Sequence, residues 1–340
     1  MLHILMTAVN AVVPIVLLIG LGYLLRSKGF VSVAFVKTGN TLVFKILLPV
    51  MLFINVYEIG NLSDVDWPAV LYCVAAVTVL FLLGPAVAAI STQDLRRKGV
   101  IWQCVFRSNF TIIGISMSAS LGGTEAAAFS SIVATLVVPL FNIFAVIALS
   151  VYNRGETGEK PDFRKIIVEI LKNPLILATV VGIGCLGVRA WQQNTFGAVA
   201  FSLKEDLKFL YSPLSSLKAM ATPLALIVLG GQFQFSVVKG LVREIAWATS
   251  FRLVFAPVLC IGGALLLDRF AGTCVCTGSA VPGMLCLFGS PVAVSSAIMA
   301  SQMGGDDQLA AQLVVWTSIG SMFTVFALVC CLMGMGILSV

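Results

Sequence analysis

Two short polar runs interrupt apolar stretches of the chain: Arg107-Ser108-Asn109, with Gly114 beyond it, and Gly289-Ser290-Pro291, with Ser295 beyond it. Pro291 has no N–H to give the carbonyl of Leu287, and its ring crowds that turn, so a helix through it breaks. With Ser290 as N-cap and Pro291 at the first helical position, a new half-helix starts there. Its free N–H groups and positive dipole end form an anion site. Asn109 can cap a matching half-helix, and Gly114 leaves room for a crossing partner. A proline kink and a packing glycine without any ligand is the alternative reading.

Four cations, Lys45, Arg107, Lys218 and Arg252, fall within apolar stretches that hold no comparably deep Asp or Glu. Charge at membrane depth is costly and marks function unless it reaches the interface. Lys45, a turn or two inside its stretch, can reach it by snorkelling. Cations without carboxylates favour an anionic ligand over a metal ion or an amine. The candidate binding set is therefore Lys45, Arg107, Ser108, Asn109, Gly114, Lys218, Arg252, Gly289, Ser290, Pro291 and Ser295. Glu125 and Asp307 each begin an apolar stretch, where an acid stabilises a helix N-terminus. With Gln302 they are also the candidates for a coupling cation.

These residues need helices to carry them. A mean hydropathy of +1.04, with 59 % hydrophobic and 11 % charged residues, excludes an ordinary soluble domain. The apolar runs reach the roughly 20 residues needed to cross a bilayer. Ten spans are expected, near 4–25, 39–57, 68–91, 100–121, 125–152, 173–191, 208–230, 242–267, 273–302 and 308–338. Loops on one side hold thirteen Lys and Arg; those on the other hold four, Arg189, Lys204, Lys208 and Arg269. The basic side is cytoplasmic by the positive-inside rule, which puts both termini outside. The polar stretch Gln192–Asp206 is then an external loop that can carry a short interfacial helix.

The halves echo each other. Gly122-Gly123-Thr124-Glu125 and Gly304-Gly305-Asp306-Asp307 lie 182 positions apart, and at that shift Thr135 meets Thr317, Phe141 meets Phe323 and Ser108 meets Ser290. Such duplication is the usual trace of secondary-transporter folds, which build their site at the seam between halves. Residues 1–152 form one five-helix repeat, 153–172 a cytoplasmic linker, and 173–340 a second repeat. An odd number of spans per half makes the second repeat inverted.

Other chemistry finds little support. The single histidine, His3, offers no base or metal cluster, and no phosphate-binding loop is present. The nine cysteines lie mostly in apolar runs as small packing residues, and no cofactor is expected. The dispersed basic residues are not a nucleic-acid signature. The first apolar run carries its charge after it, the reverse of a signal peptide. A membrane receptor without flux and an intramembrane enzyme are the alternatives from other classes. The enzyme lacks a nameable base, so the expectation is no enzyme.

Several motifs together resemble the auxin efflux carrier family, which includes plant PIN-type carriers and bacterial malate or malonate permeases. They are Pro14 through Gly20-Leu-Gly22-Tyr23-Leu-Leu-Arg26, Asn40-x-Leu-Val-Phe-x-Ile-x-Leu-Pro49, Arg107-x-Asn109, Asn173-Pro174, Arg252-Leu-x-x-x-Pro257, Gly289-x-Pro291 and Gly304-Gly305-Asp306. The resemblance runs over nearly the whole chain in matching order. It implies an all-α polytopic membrane protein with ten transmembrane helices in two inverted five-helix repeats, the broken fourth and ninth helices crossing. It also implies a scaffold from spans 1, 2, 6 and 7, a mobile bundle from the rest, and a homodimer. Leu42, Phe44 and Met51 are the apolar residues expected at that contact. Ser116 stands where plant carriers have a proline, so auxin-type recognition is not carried over. The expectation is a plasma-membrane (bacterial inner membrane) carrier of small organic anions that exports by alternating access, and its short central linker differs from the long regulated loop of many plant members. A sodium- or proton-coupled importer is the rival within transport.

Overall fold

The computed structural model describes residues 2–58, 66–152, 163–197 and 201–338. Among them the chain is helical, with one isolated β-bridge. The helices are α1 (Leu2–Ser27), α2 (Val33–Leu42), α3 (Leu48–Tyr57), α4 (Trp67–Ser91), α5 (Leu95–Phe106), α6 (Ile115–Tyr152), α7 (Phe163–Lys172) and α8 (Pro174–Phe196). They continue with α9 (Leu203–Asp206), α10 (Lys208–Gln232), α11 (Val238–Ser250), α12 (Ala256–Ala271), α13 (Ala280–Gly289), α14 (Val294–Gln302) and α15 (Asp307–Gly334).

Wide π-type turns at Val43–Leu47 and Phe251–Phe255 join α2 to α3 and α11 to α12. Each is followed by a proline, Pro49 or Pro257, whose missing N–H and bulky ring are accommodated by the looser turn. Helix starts carry side-chain caps: Asp66 on Ala69 N, Asp94 on Arg96 N, Asn173 on Leu175 N and Asp306 on Leu309 N. α6 is interrupted at Gly122 and Gly123, the latter at φ +70°, and the link from α14 to α15 turns through Gly304 at φ +76°. The left-handed region suits glycine, so both echoed Gly-Gly pairs are places where a helix stops.

Seven helical segments among the described residues are long and apolar enough to cross a membrane; Val12–Ser27 and Ala280–Gly289 are shorter apolar helices. Of the three spans by which this falls short of ten, the expected first is represented by Val12–Ser27 of α1, and the other two have a local cause. The stretches expected as the fourth and ninth spans are each cut into short helices, α5 before α6 and α13 before α14. The seam 153–162 lies outside the described residues. The rest of the expected linker is not a loop: 163–172 forms α7, whose Glu169 accepts from the Ser150 hydroxyl. Of the expected external loop, 192–196 extends α8 and 203–206 forms α9.

The helices fall into two packed groups. α1, α2, α3, α8 and α10 pack on one another, as do α4, α5, α6 and α11 to α15, with α1 lying against α15 between the groups. α1 and α10 cross closely because glycines face backbone. A Cβ on Gly22 would sit 2.1 Å from the Ile227 carbonyl oxygen, and one on Gly230 would sit 2.0 Å from that of Ile19. Gly22→Ala must push the two helices apart and is expected to destabilise the protein by about 1–3 kcal/mol. Gly20→Ala, where a Cβ meets nothing within 4 Å, is the matched control in thermal unfolding.

Candidate functional site

The two helix breaks meet. α5 ends at Phe106; Arg107 is extended (φ −88°, ψ 112°), and the chain re-enters helix after Asn109 through the wide turn Phe110–Gly114. α13 ends at Gly289, and Ser290 to Ala293 run extended before α14. Ser108 forms an antiparallel bridge with Val292, and the Asn109 N–H donates to the Pro291 carbonyl at 2.8 Å. The Val292 N–H donates to the Thr317 hydroxyl at 3.1 Å. The expected caps need correction. Ser290 does not start the second half-helix; its hydroxyl turns back to the Cys286 carbonyl, and α14 begins three residues beyond Pro291 with Ala293 at the N-cap position. Asn109 does hold the N-cap position of the wide turn, but its side chain makes no capping bond.

Arg252 lies behind the breaks, fully buried. Its Nη2 donates to the Leu287 carbonyl (3.0 Å), the one that Pro291 leaves without a helical donor. Nε reaches the Ser290 carbonyl (3.1 Å), and Nη1 lies 3.4 and 3.5 Å from the carbonyls of Val105 and Phe106. One guanidinium thus serves the C-terminal ends of α5 and α13, whose partial negative charges suit a cation. Arg252 is a structural clamp and does not line the pocket, which corrects its place in the candidate set. The clamp also changes what Pro291 does. With Arg252, Asn109 and Thr317 holding the extended segment, Pro291→Ala is expected to leave the break intact, where the sequence alone pointed to a healed helix.

Arg107 instead turns its guanidinium toward α6 and α14. It is 4 % exposed. Nη2 donates to Asn142 Oδ1 (2.8 Å) and Ser295 Oγ (2.9 Å), and Nη1 points at Met299 Sδ (2.7 Å). The Gln103 amide fits its neighbours with its oxygen 2.9 Å from Arg107 Nη1 and its nitrogen 3.3 Å from the Ser296 carbonyl. These partners are all neutral. Beside the guanidinium lies a cavity of about 50 Å³, room for roughly three or four waters at about 10–15 Å³ each. Ser108 Oγ, Asn109 Nδ2 and Asn142 Nδ2 line it, buried and without a partner. Buried polar groups are normally satisfied, so unpaired amide donors beside a cation ask for an acceptor, best an anionic one. The rest of the wall is largely apolar, with Leu48, Met51, Leu52, Val138, Phe141 and Leu175 among its residues.

A family model described as membrane transport protein matches residues 7–329. The chain belongs to the auxin efflux carrier family. It is thus a membrane transporter, from a family of transporters and not of enzymes. No match is found among curated proteins.

The carrier brings Arg107, Ser108, Asn109 and Ser295 together at the pocket and leaves the other candidates out of its lining. Lys45 is exposed on the surface. Lys218 is ion-paired with Glu58, which also accepts from Tyr211, so its charge is matched. Gly114 makes room for the Phe110 ring of its own turn, 2.3 Å from where a Cβ would be, and not for a crossing partner. Gly289 and Ser290 are buried at the end of α13. Pro291 acts through its carbonyl, as the acceptor for Asn109. In the second half the helix-capping acid is Asp306, one residue before Asp307, and Glu125 is exposed. Phe44 is buried and Met51 lines the pocket, so of the three apolar residues expected at a dimer contact only Leu42 is exposed.

Sequence reasoning passed over Gln103, Asn142, Ser296 and Thr317. Their signal was present: lone amides and hydroxyls inside apolar helices are costly without a partner. A second chamber of about 470 Å³ adjoins the pocket, sharing Leu52, Thr111 and Val138 with it and reaching Glu58. At the other end, a polar chamber of about 470 Å³ is lined by Arg26, Lys37, Gln302 and Asp307 among others, and shares no lining residue with the pocket. All four of Asn40, Thr41, Ser301 and Gln302 line this polar chamber, where Asn40 donates to Ser301 (3.3 Å) and Gln302 to Thr41 (3.5 Å), joining α2 to α14.

Proposed function

We propose that this carrier exports small organic anions such as carboxylates across the plasma membrane, the bacterial inner membrane, by alternating access of elevator type. The observation that carries the reading is the one-sided chemistry of the pocket. Arg107, Ser108, Asn109, Asn142 and Ser295 all belong to the group built from α4 to α6 and α11 to α15. The facing group contributes Leu48, Met51, Leu52, Leu175 and Ala225, with Thr222 its one polar member. Apart from the Thr222 hydroxyl, this wall offers a ligand no side-chain hydrogen bond, so a bundle that carries its anion has little to break in sliding along it.

In this reading the chain crosses the membrane ten times, as two inverted sets of five. The paired breaks are crossovers in the fourth and ninth spans, α1 to α3 and α8 to α10 are the scaffold, and a second copy packs on the scaffold's lipid face. Both termini are external, so a cysteine placed at position 159 is expected to be labelled only from the cytoplasmic side. Potential-driven export is energetically sufficient: one charge across 100 mV is worth about 2.3 kcal/mol, roughly a fifty-fold anion gradient. A coupling cation is disfavoured because Glu125 is exposed and does not line the chamber that holds Gln302 and Asp307.

Flux in proteoliposomes tests the function. Labelled mono- and dicarboxylates are expected to leave faster than neutral amide analogues when the interior is negative, with no need for a sodium or pH gradient. Equal flux of the amides, or flux that requires sodium at fixed voltage, would remove this reading.

A further inference from the structure

We propose that Arg107 makes the empty bundle the charged species that crosses the membrane, and that a bound monoanion cancels this charge. The inference rests on the anion-carrier reading above and adds where in its cycle the voltage acts.

The two buried guanidinium groups differ in compensation. Arg252 is surrounded by four carbonyls at the C-terminal ends of α5 and α13, each end carrying roughly half a negative charge. Its charge is therefore largely matched by the protein. Arg107 has neutral partners, Asn142, Ser295, Met299 and Gln103. No carboxylate and no helix C-terminal carbonyl is among these partners. All four partners sit on α5, α6 and α14, and none on α1 to α3 or α8 to α10. The guanidinium is fixed to the bundle and travels with it.

The consequences follow from charge balance. An empty bundle carries about one positive charge through the membrane field, and a bundle holding a monocarboxylate carries about none. With the interior negative, the empty site is drawn to face the cytoplasm, loads there, crosses outward without electrical work, and returns with the field. One negative charge leaves per cycle, but the voltage acts on the empty return. A dicarboxylate leaves the loaded bundle with one negative charge, so its outward step becomes voltage-sensitive too.

A ligand-free measurement tests this. The protein is incorporated into planar bilayers, and displacement current is recorded after voltage steps without any substrate. The parent is expected to show a transient that saturates near one elementary charge per protomer, that a mixture of acetate, L-lactate and benzoate suppresses, and that Arg107→Lys retains. Arg107→Gln, checked for folding by size-exclusion chromatography, is expected to lose it. No transient in the parent, or an unchanged one in Arg107→Gln, overturns the proposal. If Arg107→Gln does not fold, the carboxylate mixture decides in the parent: suppression supports the proposal, and a transient enlarged by the mixture overturns it. A transient that needs Arg107 but ignores all carboxylates overturns instead the anion reading, so the two failures are separable.

Discussion

Arg252→Met is expected to destabilise the carrier by at least about 4 kcal/mol and to be the most damaging single substitution near the site. Hydrogen bonds to a charged group contribute about 1.5–3 kcal/mol each, and a buried carbonyl left without a donor costs about 1–3 kcal/mol. Arg252 serves the carbonyls of Leu287, Ser290, Val105 and Phe106. Methionine fills similar space and satisfies none of them. The Leu287 carbonyl is the most exposed to loss, because Pro291 rules out the helical donor that would replace the guanidinium. Arg252→Lys is expected to recover only part of the loss, since one ammonium cannot span two helix ends with a fork geometry. Thermal unfolding in detergent measures the effect. A melting temperature within a degree or two of the parent would show that the breaks hold without the clamp.

Arg107→Gln should act on the ligand more than on the fold. It removes the one cation of the pocket and is expected to weaken carboxylate binding by about 3 kcal/mol, roughly a hundred-fold or more. Nη1 and Nη2 of Arg107 are already directed at Asn142, Ser295 and Met299. Its effect is therefore that of a nearby positive field, with the free amide groups of Asn109 and Asn142 closest to the ligand. Two outcomes follow. Dicarboxylates should lose more than monocarboxylates, and Arg107→Lys should restore much of the affinity. Isothermal titration of the folded variants decides this. Equal losses in the lysine and glutamine variants would mean that arginine geometry, and not charge, does the work.

The helical membrane fold and the helix breaks that line the candidate site were legible in the sequence to different depths. Hydropathy and proline chemistry located both breaks, because a missing N–H at Pro291 and a polar triplet at Arg107 are local facts. That the two segments pair, Ser108 with Val292, was not legible, since the echo between the halves sets Ser108 against Ser290 and says nothing of pairing. Nor was the direction of each guanidinium. Arg107 and Arg252 read alike as deep cations, and only packing shows that one meets helix C-termini and the other meets neutral groups beside a cavity. The cap assignment failed for a similar reason. Ser290 satisfies its hydroxyl on Cys286 within α13, a choice between two local partners that the spacing leaves open. Asn142 reaches Arg107 from 35 residues away in the chain, a contact that no periodicity announces. Lys218 looked unpaired because Glu58, its partner, comes from the end of another helix.

The central claim is that unpaired donors beside Arg107 hold a carboxylate. The most direct measurement is equilibrium titration of the purified carrier with small carboxylates and their neutral amides, such as L-lactate against lactamide, in parallel with Asn109→Ala. Carboxylates are expected to bind and to raise the melting temperature, since a ligand that prefers the folded state stabilises it. The amides should do neither, and Asn109→Ala should weaken carboxylate binding roughly ten- to a hundred-fold, the worth of one hydrogen bond to a charged group. Binding of lactamide as tight as that of lactate, or carboxylate affinity unchanged in Asn109→Ala, would contradict the account.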